Sequence, residues 1–86
     1  MSTSPEPARI PTTEDEVVSA LSHWLAAHYG NARLREELLG IGTDGLSPDQ
    51  HVAVEELLRE LDDAPEGVRG NLEMLVRETL EAVALG

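Results

Sequence analysis

Three histidines, Ser47 with His51 four residues on, a glycine-rich hexapeptide and a surplus of carboxylates are the residues in this chain that could do chemistry. His23, His28 and His51 do not make a metal triad. His23 and His28 are five apart, which turns them away from each other on a helix, whereas paired helical ligands sit three or four apart. Ser47 and His51 fall on one short helix with no evident orienting acid or oxyanion site. An N-terminal cap is the simpler role for Ser47, and His28 reads as a half-buried residue at a helix end.

Gly40-Ile41-Gly42-Thr43-Asp44-Gly45 spells G-x-G-x-x-G. Dinucleotide binding needs a strand before that motif and a helix opening within it. Neither is present, and Asp44 would face the pyrophosphate. The window from Asp44 to Glu55 also fails as a calcium loop: Leu46, Pro48 and Asp49 stand where two oxygen ligands and a glycine are required. No catalytic group, metal site or cofactor site is expected, and the protein is read as a non-enzyme.

Composition narrows the class further. The chain has 86 residues, a formal net charge of −11, six arginines, no lysine and no cysteine. That length allows one domain, and a chain of this size buries only about 60% of the surface its unfolded form exposes. Without cysteine, neither disulfides nor thiolate-bound metal can help. The core must be aliphatic, built on Leu, Val and Ala, with Trp24 as its aromatic anchor. Arg without Lys, with much Ala, Leu, Gly and Val, points to a high-GC bacterial genome. The charge repels nucleic-acid phosphates and anionic lipid, and attracts a protein partner with a basic patch. No apolar run suits a membrane span or a secretory leader, so a cytoplasmic location is expected.

The elements that must carry these residues are helices. Residues 1–12 are expected to be a disordered tail and 13–86 a single helical domain. Thr13 and Glu16 form a capping box for a helix from about Glu14 to Tyr29, with Val17, Leu21, Trp24 and His28 on its apolar stripe and Gly30 as its stop. Asn31 caps a short second helix carrying Leu34, Leu38 and Ile41, ended by Gly40. Ser47-Pro48-Asp49-Gln50 opens the best-marked helix, with Val54, Leu57, Leu58 and Leu61 inward and Glu55 and Arg59 toward water. An irregular turn near Pro65, with Val68 as an extra contact, leads to a last helix from about Asn71. That helix carries Leu72, Leu75, Val76, Thr79, Leu80 and Val83 on one face and Glu73, Arg77 and Glu81 on the other. Nothing alternates with period two. The expected fold is all-α: a small bundle of three main helices plus one short one.

This order of parts resembles the acyl and peptidyl carrier proteins, over about Glu14 to Leu85. Leu39 to Leu46 looks like the family's loop ending in Asp-Ser-Leu, and Val54-Glu55-Glu56-Leu57-Leu58 looks like its acidic recognition helix. The resemblance implies a four-helix bundle that docks to biosynthetic enzymes. The family's phosphopantetheine-bearing serine is replaced here by Gly45, which has no hydroxyl. The resemblance therefore implies a degenerate carrier, or one modified at Ser47.

Three functions follow. The first is a non-catalytic protein–protein interaction module that docks to a basic partner surface through Asp49, Glu55, Glu56, Glu60, Asp62 and Asp63. The second is the carrier-like domain. The third is a self-associating helical protein, a homodimer formed through the face from Leu72 to Val83.

Overall fold

The computed structural model describes residues 12–64 and 69–85. Among them the backbone forms four helices and no strand: α1 (Thr13–Leu25), α2 (Asn31–Ile41), α3 (Pro48–Asp63) and α4 (Gly70–Leu85). This is the small all-α bundle expected, with α2 the shortest helix at 11 residues. The tail expected over residues 1–12, apart from Thr12, lies outside the described residues, as do the turn at Pro65 and the contact at Val68.

The helices close a ring. α1 packs on α2 and α4, and α3 packs on the same two, so α1 and α3 face each other diagonally. Two polar junctions set the directions. At one end Gln50, in the first turn of α3, donates through Nε2 to Glu14 Oε2 of α1 at 2.8 Å and to the Val83 carbonyl of α4 at 3.1 Å. At the other end Arg69, just before α4, donates to the carbonyls of Trp24 and of Tyr29, the latter at 3.3 Å. The starts of α1 and α3 therefore share an end with the finish of α4, and the chain runs up, down, up, down.

The core is aliphatic around one indole. Val17, Leu21 and Trp24 of α1 meet Leu34 and Leu38 of α2, Val54, Leu57 and Leu61 of α3, and Leu72, Val76 and Val83 of α4. Leu58, Leu75 and Leu80, expected on the same faces, are half-buried at the margins. Thr79 is buried too, its hydroxyl donating to the Leu75 carbonyl at 2.8 Å, which satisfies the one polar group on that stripe.

The helix ends differ from expectation in instructive ways. The capping box of α1 is Thr12 with Asp15, one residue before Thr13 and Glu16: Asp15 N donates to Thr12 Oγ1 at 3.1 Å and Thr12 N to Asp15 Oδ2 at 3.2 Å. The two boxes overlap in the sequence and leave Val17, Leu21 and Trp24 in the same register, so periodicity does not choose between them. α1 stops at Leu25 rather than Tyr29. Ala27 takes a left-handed φ of 65°, its N–H bonds the Trp24 carbonyl, and the His28 N–H bonds the His23 carbonyl at 2.8 Å. That is a Schellman motif with alanine where glycine is usual. His28 is thus beyond the helix and exposed, not half-buried on its stripe.

Gly30 is not the stop of α1 but the N-cap residue of α2, extended at φ −83°, ψ 178°. Asn31, expected as that cap, is the first helical residue and is buried. Its Oδ1 accepts from Trp24 Nε1 at 2.8 Å, so its side chain serves the core instead of the helix terminus. Gly40 does not end α2, which continues to Ile41 and closes at Gly42 with φ 79°. The helix opened by Ser47, Pro48 and Gln50 is as read: Gln50 N donates to Ser47 Oγ at 3.2 Å and Ser47 N to Gln50 Oε1 at 2.8 Å. α4 starts at Gly70, one residue before the expected Asn71.

Candidate functional site

α3 holds six carboxylates against one guanidinium, Arg59. At 100° per residue, positions seven apart nearly superpose along the helix. Asp49, Glu56 and Asp63 therefore make one row, Glu55 and Asp62 another, and Val52 and Arg59 lie between them. All seven are exposed, since the opposite side of the helix carries Val54, Leu57 and Leu61 into the core. Glu60, also exposed, sits at the edge toward α4, in a shallow groove of about 350 Å³ with Glu56, Arg59 and Leu75. Val52 is 58% exposed and lies in a groove of about 410 Å³ lined by Pro48, His51, Glu55, Glu56 and Arg59.

The six acids are not equivalent. Asp62 pairs with Arg35 of α2 at 3.3 Å, and Glu55 faces His51 Nε2 at 3.7 Å. Asp49, Glu56, Glu60 and Asp63 have no ion-pair partner among the described residues. Asp62 and Asp63 also end the helix, where the macrodipole disfavours negative charge, and no basic residue occupies the last turn. Helix stability does not ask for acids there.

Neither arrangement considered for catalysis assembles. Contrary to expectation His51 does meet an acid, Glu55 at 3.7 Å one turn further along α3, but the Ser47 hydroxyl accepts from Gln50 N and no hydrogen bond joins it to the His51 ring among the described residues. Gly45 sits in the loop at φ 91°. A Cβ built there would lie 3.3 Å from Thr13 Oγ1, so a side chain would be both strained and crowded. Among the described residues no group of three or more His, Asp or Glu side chains is placed to hold a metal ion. No helix among them is long and apolar enough to cross a membrane.

The face named for self-association, Leu72 to Val83, is consumed by the bundle itself, with Leu72, Val76, Thr79 and Val83 all buried. What α4 leaves outside is Met74, 69% exposed, and Leu85.

Sequence reasoning missed the corner between α1 and α2. There the His23 and Tyr29 rings stack at 5.1 Å, and Arg33 lies 4.6 Å from the Tyr29 centroid. Arg33 Nε also donates to Glu37 Oε2 at 3.1 Å, and that bond, with the Glu37 charge, raises the guanidinium above its ordinary value. The one signal was the i, i+4 spacing of Arg33 and Glu37.

These features define a class, an acidic up-and-down four-helix bundle with a carboxylate-lined outer helix. Scans against protein families, curated proteins and solved structures returned no match.

Proposed function

We propose that the protein is a non-catalytic interaction module whose α3 docks against a basic partner surface, with the cytoplasm as its compartment. The observation that carries this reading is the outer face of α3: exposed Val52 flanked on both sides by rows of carboxylates, four acids of the helix having no ion-pair partner among the described residues. Binding surfaces combine a small apolar centre with a polar rim, and rim charges steer the partner and set register. Val52 supplies the centre, and Asp49, Glu55, Glu56 and Asp63 supply the rim. Arg59 adds one cation in the middle, which favours a partner that offers an acid among its basic groups. Acids at the C-terminal end of α3 work against the helix dipole, consistent with their serving a contact instead of the fold.

Photocrosslinking from position 52 in the source cells tests this. The expected adduct is a basic segment of a partner protein, and it should be lost in Glu56→Lys/Asp63→Lys. In lysate it should weaken when ionic strength rises from about 0.1 to about 1 M, which shortens the Debye length from about 10 to about 3 Å. An adduct indifferent to both changes removes the electrostatic docking.

A further inference from the structure

The groove between α1 and α2 joins an apolar floor to carboxylate walls from both helices. It measures about 570 Å³, within the range of pockets that enclose several side chains. Its floor is apolar, from Ala20 of α1 and Ile41 at the end of α2. Its walls carry Asp15 and Glu16 on one side and Glu37 on the other, with Ser19 between and Tyr29 at one end. Among the described residues no side-chain N–H lines it. Carboxylates only accept, and the two hydroxyls can accept as well as donate.

Part of this acceptor capacity is already used. Asp15 Oδ2 accepts from Thr12 N, and Glu37 Oε2 from Arg33. The Glu16 carboxylate has no hydrogen-bond or ion-pair partner among the described residues. The Tyr29 wall is held in place by the His23 stack and the Arg33 guanidinium, so the groove is formed before anything enters it.

We infer that this groove is a second docking site, which takes an amphipathic basic segment of a protein partner. An arginine or lysine stem lies along Ala20 and Ile41 while its head reaches Glu16 and the free oxygens of Asp15 and Glu37. This is the complementary chemistry of an apolar floor under walls that carry three carboxylates. A neutral apolar ligand would leave the carboxylates desolvated and unpaired, and an anion would be repelled. The α3 groove differs, since Arg59 and His51 stand among its carboxylates. Because α1 and α3 are diagonal in the ring, the two grooves look away from each other, and one flat surface cannot cover both. The module is then two-sided, able to bridge two basic segments. The inference stands whether or not α3 docks.

Amide chemical shifts of the full chain, titrated with a synthetic amphipathic peptide of Leu and Arg, test it. The expected result is saturable shifts at Glu16, Ser19, Ala20, Glu37 and Ile41, with an affinity that falls as salt rises. Glu16→Lys should weaken this set at least about ten-fold, the loss of one charge-assisted contact. Ser19→Arg, which fills the groove with an internal cation, should do the same, while shifts on α3 persist in both variants. Shifts confined to α3, or non-saturating shifts spread over every acidic residue, overturn the proposal. So does unchanged binding in both folded variants. The α3 shifts, read in the same spectra and removed by Glu56→Lys, report separately on that face.

Discussion

The indole Nε1 of Trp24 donates to Oδ1 of Asn31 at 2.8 Å, with both residues buried at the junction of α1 and α2. Neither helix needs this bond for its own propensity. It ties the last turn of α1 to the first turn of α2. Asn31→Ala should lower unfolding free energy by about 1–3 kcal/mol, because the buried N–H loses its acceptor. Urea denaturation checks this. Trp24→Phe should cost less in the Asn31→Ala background than alone, by a coupling of about 1 kcal/mol.

Arg69 closes the same corner from a distant part of the chain. Its guanidinium lies 3.7 Å from the Trp24 ring centroid and donates to two carbonyls at the end of α1 and in the turn beyond. The Trp24 carbonyl already accepts from Ala27 N, so Arg69 adds a second donor there and ties the turn at Tyr29 to the start of α4. Arg69→Ala should destabilise by about 1–3 kcal/mol and change the Trp24 emission. Arg69→Lys should recover only part of the loss, since a compact ammonium cannot stack and fork at once.

Gln50 and Ser47 share a capping box but not a workload. Ser47→Ala removes one cap and should cost about 1 kcal/mol. Gln50→Ala should cost more, about 2–3 kcal/mol, because its amide also binds Glu14 and the Val83 carbonyl across three helices. Gln50→Glu replaces that donor with a carboxyl facing Glu14. Repulsion and burial favour protonation of the introduced carboxyl in the folded state, so its pKa rises on folding. The penalty is therefore small in acid and grows as pH rises through that folded pKa. Thermal melts across pH 4 to 8 would show a stability that falls with pH relative to the parent.

Two left-handed positions give opposite outcomes. Ala27 pays for φ 65° with a Cβ, so Ala27→Gly should stabilise the protein by up to about 1 kcal/mol. Gly45 at φ 91° is suited to its turn, and Gly45→Ser should destabilise by about 1 kcal/mol or more. Intact mass after incubation with a phosphopantetheinyl transferase and coenzyme A addresses the carrier resemblance. No gain is expected for the parent chain; a gain lost in Ser47→Ala would make Ser47 the attachment point.

The net charge of −11 makes the folded chain repel itself. Raising salt from about 0.05 to about 0.5 M should therefore raise the melting temperature, as screening relieves like-charge repulsion. A melting temperature that falls would show that attractive pairs such as Arg35–Asp62 outweigh it.

Legibility followed the range of the deciding interaction. The start of α3 was plain because Ser47, Pro48 and Gln50 act within one turn. The six acids of α3 and their two rows follow from the helix period for the same reason, whereas the pairing of Asp62 with Arg35 emerges only when α3 is placed against α2. The α1–α2 boundary differs from expectation because glycine is favoured at C′, whereas here Ala27 takes the left-handed position and Gly30 serves as the N-cap residue of α2. The groove over Ala20 and Ile41 was invisible, since its walls come from two helices whose pairing no local pattern encodes.

What the sequence determined by itself was helix, acidity and an aliphatic core around Trp24: propensity, capping and the 3.6-residue period act over a few neighbours and need no fold to operate. What only the tertiary structure decided was the ends and the surfaces. Arg69 reaching back to Trp24, and Gln50 reaching Glu14 and Val83, act across the bundle, and they set which backbone groups are satisfied, which carboxylates stay unpaired and which grooves open to a partner.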